Sequence, residues 1–156
     1  MQEECHPLMN SAAYQEERPG GKEGGMAERA TSTFEIKRWD ENSYAEFDGG
    51  KKLTRARVTK IFQGDVEGEG DVEYLLMYRE DGTAAMVGLE RIVGRVHGKA
   101  GSFVLQEEGT YEEGAARILW RIVPGSGTGE LQGIRGEGRF VAGHEPRHPF
   151  ALDYEI

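Results

Sequence analysis

From Thr33 onward, apolar and polar residues alternate with a period of two, the pattern of strands that bury one face. Phe34 and Ile36 alternate with Glu35 and Lys37, which predicts a first strand. Trp39 to Phe47 is acidic and aromatic and reads as a connection. Leu53 to Gln63 predicts a second strand with Ala56, Val58 and Phe62 on one face, and Gly64 to Gly70 punctuates the chain after it. Val72 to Arg79 is apolar on both faces, as expected of a strand covered on both sides, the second cover being an oligomer contact. Asp81-Gly82 signals a hairpin turn.

Thr83 to Val96 continues as a long strand interrupted by Gly88 and Gly94, Gly98 to Gly101 turns the chain, and Ser102 to Glu107 returns. After Gly114, Ile118, Trp120 and Ile122 share a face. A loop with two prolines and two histidines (GHEPRHP) then precedes a last strand, Phe150 to Tyr154. No stretch carries a helical period. Seven or eight strands joined by short turns predict an all-β fold, a single antiparallel β-barrel, because closure removes exposed sheet edges.

Pro124 to Phe140 (PGSGTGELQGIRGEGRF) contains six glycines. Each glycine in extended structure costs about 0.5–1 kcal/mol relative to alanine. A chain that keeps six needs positive φ or close backbone approach at several of them. The expectation is a tight turn leading into a coiled barrel strand. A phosphate-binding loop is not expected: the spacing is not G-x-G-x-x-G, and no Lys-Ser/Thr or helix follows.

The chain has 156 residues, enough for one domain with one core. A net charge of −9 argues against nucleic acid and anionic membranes as partners. The lone cysteine, Cys5, excludes an internal disulfide and a thiolate metal site. With no apolar run of transmembrane length and no secretory signal, a cytoplasmic protein is expected. Residues 1–25 are polar and aperiodic and read either as a disordered tail or as a mis-assigned start upstream of Met26, leaving 26–156 as the domain. No cofactor is indicated. His144 and His148 have a helical metal-binding spacing, but Pro146 and Pro149 exclude the helix, so no metal site is expected. No serine stands in a nucleophile-elbow context.

Carboxylates placed mid-strand carry more chemistry. Glu90 shares a face with Met86, Gly88 and Ile92, and Gln106 shares one with Val104. If both faces point inward, Glu90 and Gln106 are polar groups in an apolar cavity, suited to orienting a ligand or moving a proton. The plain alternative pairs Glu90 with Arg91, Arg121 or Lys60 across the sheet. Glu73 and Tyr74 lie in the doubly apolar strand, and Tyr78 and Trp120 either shape a ligand pocket or simply pack the core.

LTRARVTK from Leu53, GDVEGEG from Gly64, GLERIVG from Gly88, GSFVLQ from Gly101 and VPGSGTGEL from Val123 follow one another in order. These five segments resemble the bacterial domain of unknown function numbered 3224. Gly127-Thr128-Gly129 followed by Gly136 is also similar to a segment of the allene oxide cyclase and dirigent barrels, with Leu131 where those carry an aromatic residue. The resemblance implies an eight-stranded barrel, often a homo-oligomer. Relatives in that superfamily cyclise or isomerise small apolar substrates or guide radical coupling, and none of their catalytic residues is carried over to positions here. The expected function is therefore binding of a small hydrophobic molecule in the barrel, with cyclisation or isomerisation left open, so that whether the protein is an enzyme is undecided. Glu90, Gln106, Glu73, Tyr74, Tyr78 and Trp120 are the candidate ligand contacts. The alternative is a non-catalytic homo-oligomeric barrel with a packed interior.

Overall fold

The structure is a computed structural model that describes residues 27–156. The readings of 1–25 as a tail and of Met26 as the start lie outside the described residues. Eight strands follow one another: β1 Glu28–Glu46, β2 Lys52–Gly64, β3 Val66–Tyr78, β4 Ala84–Val96, β5 Lys99–Glu112, β6 Ala115–Ile122, β7 Arg135–Ala142 and β8 His148–Glu155. Each pairs antiparallel with the next, and β8 returns to β1, closing the barrel. Two single-turn 3₁₀ segments, Asp48–Gly50 and Gly129–Leu131, are the helical structure among the described residues. No helix there is long and apolar enough to cross a membrane.

Alternation decides the inner face. On β2, Thr54, Ala56, Val58, Lys60 and Phe62 are buried, while Arg55 and Arg57 between them are exposed. A one-residue slip would exchange those sets, so burial fixes the register. The centre of the barrel is aromatic: Trp120 lies 4.6 Å from Phe150 and 5.1 Å from Phe140, and Phe34 meets Phe140 edge-on at 5.0 Å between ring centroids. Offset and edge-on pairs of this kind add about 0.5–1.5 kcal/mol each beyond their burial.

Two boundaries differ from the sequence reading. Trp39–Glu46 is not a connection: β1 runs on through it, paired to β2, with register shifts between Ile36 and Arg38 and between Ser43 and Ala45. The shifts reset the alternation, and this hides the strand from a strict period of two. Likewise Gly68 and Gly70 sit inside β3 rather than in a turn. β1 pairs with β8 only from Glu28 to Phe34, so its second half projects past β8 toward one end of the barrel. We call that end, where Tyr78 and the β3–β4 turn lie, the mouth.

The glycine-rich segment closes the opposite end. Gly125, Gly129, Gly133 and Gly136 take positive φ, as its composition predicts. The segment is more than a tight turn, however. Where β6 stops, it lies along β5: Thr128 N–H donates to the Ser102 carbonyl at 2.9 Å, Ser102 N–H to Thr128 Oγ1 at 3.0 Å and Val104 N–H to Ser126 Oγ at 3.0 Å. Leu131 and Ile134 are thereby fully buried as a plug. Gly101 on β5 permits this approach, since a Cβ there would run into the Thr128 carbonyl.

Candidate functional site

Inside the barrel, β2, β3, β4 and β5 each contribute one polar side chain to a single buried cluster. Lys60 Nζ is 3.1 Å from Glu90 Oε1 and 3.5 Å from the Tyr74 hydroxyl, which donates to Glu107 Oε1 at 2.6 Å. The side chains of Lys60 and Glu90 are 2% and 0% exposed. Lys60 also faces four rings, with Nζ at 4.5 Å from the centroid of Phe34, 5.1 Å from Phe140, 5.6 Å from Trp120 and 5.9 Å from Tyr74. Taking an ion out of water costs several kcal/mol even after relaxation, so every charge here needs its partner.

Burial pushes the Glu90 carboxyl well above the usual carboxylate range; Lys60 opposes this and Glu107, hydrogen-bonded to Glu90, adds to it. The rise favours a protonated, uncharged Glu90. A proton on Glu90 supplies a donor for the second oxygens of Glu90 and Glu107, which otherwise have none among the described residues. Burial, then the charge of Glu107 and of Glu90, likewise pushes the Tyr74 hydroxyl well up, keeping it a donor. Trp120 Nε1 and His148 Nδ1 remain buried with no partner among the described residues. Burial, with Lys60 assisting and Glu145 opposing, pulls His148 below 6.5, which favours the neutral ring.

The mouth carries a second polar group. Glu41 accepts hydrogen bonds from Thr54 Oγ1 at 2.6 Å, from the Tyr78 hydroxyl at 2.7 Å and, on its other oxygen, from Trp39 Nε1 at 2.8 Å. Partial burial acts to raise its pKa, but these three donors together with Lys52 outweigh it and hold the carboxyl below its usual range. A cavity of about 500 Å³ opens here, lined by Glu41, Lys52, Thr54, Tyr78, Arg79 and others. Trp39, Tyr44, Phe47 and Tyr111 are 37–57% exposed at this end. Trp39 joins the two polar groups, bonding Glu41 while its ring lies 6.1 Å from that of Tyr74. A larger cavity, about 660 Å³, lies among Arg38, Arg57, Asp71, Leu89 and Arg91, and its lining also includes Val58, Val72 and Glu90.

Of the residues singled out in the sequence, the barrel brings Glu90, Tyr74 and Trp120 together at its centre and places Tyr78 at the mouth. Gln106 is a correction. It points outward and is exposed, because Phe103, Leu105 and Glu107 form the inner face of β5. Phe103-Val104-Leu105 is apolar throughout, so alternation there could not tell the faces apart. The polar group that faces inward is its neighbour, Glu107. Glu73 is also outside the barrel, 3.2 Å from Arg57 and 3.7 Å from Arg55 on the outer wall. Of the alternative partners considered for Glu90, Lys60 is the one that meets it. Lys60 was legible as a charge in phase with Ala56, Val58 and Phe62. Thr54 shares that phase on β2, but Glu41 carried no such signal, because the shifted alternation of β1 concealed which residues face the mouth. His148 begins β8 and is buried, rather than lying in a loop.

The fold and its contents define a class: a small closed meander barrel with a buried polar cluster in an aromatic core and a polar cup at one end. Residues 30–154 match the family model described as "Protein of unknown function (DUF3224)", and the chain belongs to that family. Among solved structures it is similar to a crystal structure of a protein of unknown function from the same family, from Shewanella oneidensis MR-1. The two are 30% identical with a TM-score of 0.72, covering 83% of this chain and 97% of that one. No curated protein matches the chain.

Proposed function

We propose that the barrel binds a small hydrophobic molecule that carries a hydrogen-bonding group and enters at the mouth. The observation that carries this reading is the buried Lys60–Glu90–Glu107–Tyr74 cluster. Buried ion pairs give little or no net stability over apolar residues of similar volume. A barrel that served only as a scaffold would gain nothing from a lysine and two carboxyls at its centre. The mouth supports the same reading: its volume falls within the roughly 300–1,000 Å³ range of small-molecule sites, and exposed aromatic side chains stand around it. In this reading Tyr78 and Thr54 orient the polar group of the ligand, and Trp39 leads from the cup toward Tyr74.

The enzymatic form of the proposal is proton transfer to or from the bound molecule, in the manner of allene oxide cyclase-like and dirigent-like barrels. Glu90 is the group placed for it, since burial raises its pKa and a carboxyl that holds its proton can donate it. A packed scaffold is the second reading, and the close aromatic filling around Phe34 and Trp120 favours it. Solvent extraction and mass spectrometry of protein purified from its own host separate the two. The proposal expects a stoichiometric small apolar molecule that is lost when Thr54→Trp fills the cup. Protein that yields no such molecule, by extraction and by native mass spectrometry alike, would overturn it.

A further inference from the structure

The outer wall of β3 and β4 carries an apolar patch. Leu75, Val87 and Leu89 point away from the barrel and are 45%, 51% and 58% exposed. Leu75 is directly opposite Val87, and Leu53, Met77 and Ala85 extend the patch toward the mouth as the next row of outward side chains. Side chains paired across strands lie about 4.5–5.5 Å apart, so the patch is continuous.

Its setting in the sheet points to what covers it. The outward row across β2, β3, β4 and β5 is Arg55, Leu75, Val87, Glu108, in register. It reads as positive, apolar, apolar, negative, and such a row is complementary to itself. A two-fold axis running along the strands between β3 and β4 sets Leu75 against the second copy's Val87. The same axis sets Arg55 against the second copy's Glu108. Two-fold interfaces use one patch twice, so a self-complementary row is what such an interface requires. The neighbouring row toward the mouth obeys the same operation, placing Met77 against the second copy's Ala85. Within one chain Arg55 Nε lies 3.7 Å from Glu73 Oε1.

We infer that the outer faces of β3 and β4 form a two-fold homodimer interface, with Leu75 and Val87 at its centre and Arg55–Glu108 pairs at its rim. The inference is independent of what the barrel interior holds. It also gives Val72–Arg79 the second cover that its two apolar faces require.

Sedimentation equilibrium on the full chain tests it. The expected result is a dimer that Val87→Arg weakens at least about tenfold, since a charge introduced at the interface centre is desolvated without a partner. Glu108→Arg alone and Arg55→Glu alone are each expected to weaken association, and the double variant to restore it to near the parent level. These side chains lie outside the barrel, so unchanged far-ultraviolet circular dichroism separates loss of association from loss of fold. A monomer at every concentration would overturn the inference. So would a dimer indifferent to Val87→Arg, or charge variants whose effects simply add.

Discussion

Replacing Lys60 by methionine is expected to lower the unfolding free energy by about 3–5 kcal/mol at neutral pH, the range found when one member of a buried ion pair is removed. The variant leaves Glu90 and Glu107 in the aromatic core with no cation, and it gives up the contacts of the ammonium with four rings. The loss should depend on pH in a definite sense. Glu90 already has a folded-state pKa above its ordinary 4.5, and Lys60 is the group that opposes the rise. Above pH 4.5 the unfolded chain releases a proton that the folded chain keeps, so the folded state loses ground as pH rises through that window. Without Lys60 the window extends further upward. The destabilisation should therefore be smallest near pH 4.5 and grow toward neutrality. Guanidinium unfolding of both proteins across that interval measures it, and a pH-independent difference would show that Lys60 does not hold the carboxyl pair.

The second large effect is expected at Gly94. This residue is paired with Gly68 on β3 and Gly101 on β5, a row of glycines across three strands. Gly68 has φ +138°, and a Cβ on Gly94 would collide with the Glu67 carbonyl while lying 2.8 Å from the Gly68 Cα. Those atoms are backbone, so no side chain can swing aside. The bare row lets β3 and β4 coil closely and leaves room beside Gly101 for Leu131 of the plug. Gly94→Val is expected to lose about 3 kcal/mol, at the upper end of overpacking penalties. For a domain of this size that is a fall in melting temperature of about 10 °C. Unchanged melting would mean that the strands can separate there without cost.

Much of the fold is legible in the sequence because closed antiparallel barrels write one face of each strand as an alternating pattern. Ile118, Trp120 and Ile122 illustrate this, all three being buried on β6. The pattern fails for physical reasons that can be named. In β1, one-residue shifts reverse the phase, and Trp39–Glu46 reads as a connection. In β5, Val104 is apolar although it faces outward, so Gln106 and Glu107 exchange roles on paper. In β3, Leu75 and Met77 are apolar on the outer face, and the parity of Glu73 is masked in the same way. The site was half legible: a carboxylate in an apolar phase marked Glu90, and the same logic marks Lys60. What one sequence does not reveal is the convergence of four strands on one point, which depends on barrel stagger rather than on any local spacing.

The central claim is that the ionic cluster is retained for binding rather than for stability. A fourfold substitution tests it most directly: Lys60→Met, Glu90→Leu and Glu107→Leu, with Tyr74→Phe removing the remaining hydroxyl. Equilibrium unfolding of this variant, alongside solvent extraction for a bound small molecule, gives both readouts from one preparation. The account predicts a folded β-rich protein at least as stable as the parent that no longer retains the molecule. A folded variant that loses several kcal/mol, or that keeps its bound molecule, would contradict it.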